Sequence, residues 1–197
     1  MKYTEITLNA LTDGCFHLYH LMQEGVGVVI GSGSTLWGFL TKELGLKDEF
    51  LDRLVKTVLV NGRPADRPEE VTLNDGDRVA LSSAMPGLVG TTLIKGSPLS
   101  SFRTEISYRA SNSNKPPEKP IMVTFKLFSL VMKELSPCFL ERGVLVDGKR
   151  LSEAIRSLKE EGALLSVHWE GKKTEPDELL RELKGEGLYM LRALFKG

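Results

Sequence analysis

Two glycine-bearing turns set the tightest limits on how this chain folds. Residues 57–60 form a short β-prone run ending in Asn61-Gly62, and a second run at residues 78–81 follows Asn74-Asp75-Gly76-Asp77. Asn, Asp and Gly tolerate the positive φ of tight reversals, so these signals bracket strands rather than interrupt a helix. Leu73, just before the second turn, is expected to plug a core. Upstream, residues 3–8 alternate with period two and residues 26–30 are an unbroken apolar run, both readings of strand. Leu36, Trp37, Leu40 and Leu44 then recur at helical spacing, with Ser34 or Thr35 able to cap that helix and Gly45 to end it. Phe50, Leu51, Leu54 and Val55 make a second short stripe. The predicted order is strand, strand, helix, strand, strand, with the helix over residues 35–44 packed across a mixed sheet and burying Leu36, Trp37, Leu40 and Leu44.

The segment from residue 58 to 90, with its Asn-Gly turn, polar crossing, Asn-Asp-Gly-Asp turn and closing tail Met85-Pro86-Gly87-Leu88-Val89-Gly90, resembles the last third of a β-grasp sulfur carrier. The matching families are the small subunit of molybdopterin synthase and the thiamine-biosynthesis sulfur carrier, both ubiquitin-like. The resemblance implies a β-grasp domain at residues 1–95 and a tail that partner enzymes adenylate and convert to a thiocarboxylate. Two departures bear on that activity. Val89 stands where the family has the first glycine of a Gly-Gly pair, and Gly90 is joined to Thr91 by a peptide bond. A carrier needs a free terminal carboxylate, and an internal amide has none.

With 197 residues and 41% hydrophobic content the chain suits one large or two small cored domains. The 26 basic and 26 acidic residues cancel, with a small acidic excess before residue 100 and a small basic excess after it. No global field therefore recruits nucleic acid or an anionic membrane. Cys15 and Cys138 are too few for a disulfide framework, which fits a reducing cytoplasmic setting. The start of the chain alternates where a secretion signal needs a continuous apolar core, and the longest nearly uncharged stretch, residues 25–40, is rich in glycine and hydroxyls, so no membrane span is expected.

Residues 96–120 change character. Phe102, Thr104, Ile106 and Tyr108 alternate with polar residues like an edge strand, and residues 111–120 have linker composition. Residues 121–197 read as a second small α+β domain. An extended run passes into a helix with Phe128, Val131, Met132 and Leu135, broken at Ser136-Pro137. A strand at 144–146 meets a turn signal at Asp147-Gly148, and Ser152 caps a helix carrying Ala154, Ile155 and Leu158 that Gly162 ends. A strand at 164–169, a helix opened by Pro176 and Asp177, and a last strand at 188–195 complete it. Short echoes link Leu59-Val60-Asn61-Gly62 with Leu145-Val146-Asp147-Gly148, but the spacing between matched segments shrinks along the chain, which chance explains.

Candidate chemistry is sparse. Of two cysteines and three histidines, Cys15, His17 and His20 fall close together. On a strand Cys15 and His17 would share a face and a turn could bring His20 round to a metal, with Asp13 or Glu24 in reach. Half-buried histidines on a hairpin are the plainer reading. Cys138 and His168 invite a nucleophile and base, yet nothing in the sequence places them together. Gly31-Ser32-Gly33-Ser34-Thr35 lacks the lysine of a phosphate-binding loop and reads as a tight turn with a capped helix. Asp66, Glu69 and Glu70 read as a solvated loop. Arg103, Arg109, Lys115 and Lys119 interleave with Phe102 and Tyr108, but Glu105 and Glu118 dilute them, so no nucleic-acid partner is expected.

The sequence therefore points to an α+β protein with no catalytic residue set and no cofactor. Its β-grasp half is expected to be a non-catalytic protein-binding module, connected through the resemblance to molybdenum or tungsten cofactor or thiamine sulfur metabolism. The partner would be an activating or sulfur-using enzyme, or a second copy in a homodimer, and Pro86, Gly87, Leu88, Val89 and Gly90 the contact segment. A carrier precursor cut after Gly90 and a small metal-dependent enzyme using Cys15, His17 and His20 are the alternatives.

Overall fold

The computed structural model describes residues 3–84, 94 and 119–197. The strands are β1 Thr4–Leu11, β2 Val26–Ile30, β3 Thr57–Val60, β4 Arg63–Pro64, β5 Arg78–Ser82, β6 Ile121–Phe128, β7 Val144–Asp147, β8 Leu164–Trp169, β9 Lys172–Thr174 and β10 Leu188–Lys196; all but the short β4 and β9 lie on runs the sequence predicts as extended. The helices are α1 Tyr19–Glu24, α2 Leu36–Gly38 with a wide π turn at Phe39–Glu43, α3 Asp48–Leu54, α4 Ser129–Arg142, α5 Gly148–Glu160 and α6 Pro176–Glu182. Among the described residues no helix is long and apolar enough to cross a membrane.

The chain forms two compact units, Val28–Met132 and a second that joins Met1–Gly27 to Lys133–Gly197. These differ from the expected divisions at residues 95 and 120. The strand at residues 3–8, expected to open the amino-terminal domain, belongs with the carboxy-terminal segment. The cause is non-local pairing: a strand joins whichever sheet satisfies its backbone groups and covers its apolar face, and neighbouring sequence does not decide that.

In the Val28–Met132 unit the strands run in the order β4, β3, β5, β6, β2. β3 and β5 are antiparallel, whereas β5 and β6 are parallel, with Val79 beside Phe125 and Leu81 beside Leu127. Asn61 and Gly62 make the β3–β4 turn at φ 51° and 78°. Thr35 caps α2 by accepting from the Gly38 N–H at 3.0 Å, and Gly45 ends the helical stretch at φ 69°. Leu36, Phe39 and Leu40 are buried, and the Phe39 ring lies 5.2 Å from that of Phe125. Trp37 and Leu44, expected in the core, are only half-buried. The Leu44 N–H reaches back to the Phe39 carbonyl at 3.1 Å, a five-residue step that puts Leu44 out of phase with the buried stripe, and the Trp37 indole donates to Asp48 at 2.9 Å.

The Asn-Asp-Gly-Asp turn does more than reverse the chain. Asp77, buried, accepts from the Asn61 side chain at 2.8 Å and from the Asn74 N–H at 2.8 Å, so the two predicted turns are bonded to each other. Asp75 accepts from the Met122 N–H, and the Asp77 carbonyl from the Thr124 N–H, each at 2.8 Å, which anchors the start of β6.

In the other unit the order is β7, β10, β1, β8, β9. β1 is parallel to β10, setting Ile6 beside Leu191, and antiparallel to β8. Residues 12–24 are helical, a 3-10 stretch Thr12–Leu18 leading into α1, and Gly25 at φ 111° turns the chain into β2. Helix α4 runs through Pro137 where the sequence predicted a break. Asp147 caps α5 by accepting from the Arg150 N–H at 3.0 Å, so Asp147-Gly148 starts a helix rather than a turn, and Ser152, expected as the cap, lies inside it and donates to the Gly148 carbonyl at 2.7 Å. The Arg150 guanidinium also binds the Asp147 carboxylate and donates to the Gly25 carbonyl at 2.6 Å.

Candidate functional site

The strands of the Val28–Met132 unit alternate, and the face turned away from the core combines the polar Arg78, Thr124 and Lys126 with an apolar patch. Val58 and Val60, Val79 and Leu81, and Phe125 and Leu127 are buried. By the two-residue period the opposite face carries Thr57 and Leu59 from β3, Ala80 and Ser82 from β5, and Phe128 from β6. With Ala84 and Ser129 these residues line a groove of about 240 Å³ at the carboxy-terminal ends of β5 and β6. The rim is held by hydroxyls: Ser82 donates to the Ala84 carbonyl at 2.8 Å and Ser129 to the same oxygen at 3.2 Å, while Ser83 accepts from the Leu130 N–H at 3.1 Å. Ser129 sits at φ 55°, an uncommon conformation for a residue with a side chain, at the corner between β6 and α4.

Thr57 is 1% exposed, and its hydroxyl has no hydrogen-bond partner among the described residues. A buried hydroxyl without a partner carries an uncompensated desolvation cost. Among the described residues no titratable side chain lines the groove, which offers apolar surface and the hydroxyls of Thr57, Ser82 and Ser129. Sequence reasoning missed it. The available signal was Leu59 and Ala80 at the outward positions of otherwise alternating strands.

The Cys15, His17 and His20 cluster does not assemble. These residues lie in the helical stretch 12–24, where Cys15 and His17 no longer share a strand face. Cys15 is buried, and that burial pushes its thiol up to about 11, opposed by a hydrogen bond with Tyr19 and reinforced by Glu141. Such a thiol stays protonated and is a poor ligand. His17 Nδ1 pairs with the Ser157 hydroxyl at 2.9 Å, and its ring lies 3.8 Å from that of Phe16. Among the described residues no group of His, Cys, Asp and Glu is placed to hold a metal.

Cys138 lies half-buried in α4, its thiol raised by burial and by Glu141, while His168 on β8 faces Asn9 at 3.4 Å. They do not form a nucleophile and base pair. Gly31 to Thr35 is a turn and cap as expected, and Arg67 meets Glu70 at 2.8 Å in an exposed loop. Pro86, Gly87, Leu88, Val89 and Gly90, with the basic and aromatic series from Phe102 to Lys115, lie outside the described residues. In comparisons with known proteins, no family model, no curated protein and no solved structure matches this chain.

Proposed function

We propose that the Val28–Met132 unit is a β-grasp module, similar to sulfur carriers, that acts as a non-catalytic protein-binding domain. The observation that carries this reading is the sheet order β4, β3, β5, β6, β2 with a parallel pair at its centre. That order supports a β-grasp reading in which β6 stands in for the family's first strand. The groove lined by Leu59, Ala80 and Phe128 supports the second half of the reading, since it is apolar, lies on the sheet face away from the helix, and opens where the last carrier-like strand ends. An apolar side chain of a partner suits such a groove, and the resemblance directs the search to enzymes that activate or use sulfur.

The carrier-precursor alternative requires a cut after Gly90, which would leave β5 on one fragment and the β6 strand it pairs with on the other, so that no free carrier is released. That favours a module used as part of the uncut chain. Calorimetric titration of the full chain with activating enzymes of the sulfur-carrier class, with ATP and intact-mass analysis, tests both readings. Binding that is lost in Leu59→Asp, with the chain mass unchanged, supports the module. An adenylate or thiocarboxylate on the chain overturns it, as does absence of binding across that enzyme class.

A further inference from the structure

The pairing of first and last strands crosses between the two halves of the sequence. β5, which ends the first carrier-like run of strands, pairs in parallel with β6, which opens the second half; β10, which closes the chain, pairs in parallel with β1, which opens it. Each borrowed strand is sealed into its unit: Ile6 and Leu8 on β1, and Phe125 and Leu127 on β6, are fully buried. Each is also tied at its start, β6 through Met122 and Thr124 to the Asp75 to Asp77 turn, and β1 through the Glu5 carbonyl, which accepts from the Glu170 N–H at 2.9 Å.

The halves share an element order as well. Each runs strand, helical stretch, strand, helix, strand, glycine turn, strand, short helical turn, strand, once α3 is set aside as an extra helix of the first half, whose short turn is the 3-10 stretch Pro68–Glu70. The second strand follows a glycine at φ 111° in one half and 108° in the other, and the turn after the third strand has φ 51° and 78° at Asn61-Gly62 against 49° and 78° at Glu170-Gly171. This correspondence is not the short sequence echo, which aligns a third strand with a second. The centres differ in one respect: β5 lies between β6 and β3, whereas β1 lies between β10 and β8.

We propose that the two halves are interlocked by these exchanged strands, so that a cut after Gly90 leaves one native two-fragment protein and releases no carrier-like domain. The inference rests on strand pairing and stands whether or not the module binds a sulfur enzyme. With no tight hairpin available to a parallel pair, the borrowed strand must come from a distant part of the chain, and here it comes from the opposite half.

The test uses the full chain with a protease site inserted between Gly90 and Thr91. After native cleavage the two fragments are expected to elute together at the mass of the intact chain and to separate only in denaturant; natural separation into two folded pieces overturns the proposal. Simple docking of two contiguous domains would also keep fragments together, so cysteine pairs decide the pairing, in a Cys15→Ala, Cys138→Ala background. Thr7→Cys with Arg192→Cys, and Ala80→Cys with Lys126→Cys, sit at neighbouring register positions and should oxidise to intrachain links. Thr7→Cys with Ala80→Cys should remain at background. A Thr7 to Ala80 link, or a Thr7 to Arg192 link found only between chains, overturns the interlock. Where cysteine variants do not fold, hydrogen exchange decides: Leu191→Ala should deprotect residues 4–11 and leave 121–128 protected, with Leu81→Ala doing the converse, and the opposite pattern overturns it.

Discussion

The outward sheet faces of the two units contrast. In the unit containing β1, β8 and β10 the face carries side-chain bonds of its own: Asn9 donates to Ser166 at 2.9 Å and meets His168, and Arg192 lies 3.6 Å from Glu5, with Leu11, Leu188 and Leu194 exposed apolar residues at its strand ends. In the Val28–Met132 unit the corresponding face carries Arg78, Thr124 and Lys126 but also an apolar groove, beside which the Thr57 hydroxyl has no partner among the described residues. Similar strand layers thus carry side-chain hydrogen bonds on one face and an apolar groove on the other. Alternation alone builds a sheet; the outward residues decide whether it is merely solvated or used.

The strongest way to break this comparison is to remove a core. Phe125→Ala should cost about 3–5 kcal/mol, because the ring is fully buried against Phe39. Chemical denaturation showing a loss below about 1 kcal/mol would mean that β6 does not form the core of its unit. Next in size, Gly148→Ala would put a Cβ 2.1 Å from the Lys184 carbonyl oxygen, so the backbone must move, at about 1–3 kcal/mol or more. Gly31→Ala, in the turn before the capped helix of the other unit, meets only the Ser34 hydroxyl at 3.7 Å and should leave thermal stability nearly unchanged. Equal effects would remove that asymmetry.

The faces themselves are compared by removing polar groups. Thr57→Val keeps shape and deletes the orphaned hydroxyl, so it should stabilise by about 1 kcal/mol or more, whereas Asn9→Leu deletes bonds that are made and should destabilise by about 1 kcal/mol. Destabilisation by Thr57→Val in a urea titration would show that the hydroxyl has a partner.

The smallest contrast is between caps. Thr35→Ala and Asp147→Ala should each cost about 1 kcal/mol at neutral pH. Burial pushes the Asp147 carboxyl up, but the Arg150 N–H and guanidinium outweigh it and hold the group below its ordinary value. A carboxyl depressed in the folded state stabilises above its unfolded pKa, about 4, and loses that contribution as pH falls through the folded value. The Asp147→Ala penalty should therefore shrink in acid while the Thr35→Ala penalty persists. Thermal melts from pH 7 to pH 3 in which both penalties fall together would refute the assignment.

Local chemistry was legible in the sequence. The runs at 26–30 and 57–60, the Asn61-Gly62 turn, the Thr35 cap and the Pro176 helix start all form where short-range pattern put them. The failures share another cause. The segment holding Cys15, His17 and His20 lacks a clear period and so does not announce its helical turns, and Pro137 is a helix breaker by local rules although its helix continues through it. The groove was hidden because Leu59 and Ala80 look like ordinary strand residues until the face they occupy is known.

What the sequence determined by itself is therefore most of the strands, the Asn61-Gly62 turn, the Thr35 cap and the peptide bond at Gly90, since each depends on φ, hydrogen bonds or covalent bonds spanning a few residues. Only the tertiary structure decided which strand pairs with which, and so which residues make each core and which face holds the groove. β1 and β6 carry similar alternating apolar patterns, and their choice of β10 and β5 rests on long-range burial and on backbone bonds to distant turns that no local window contains.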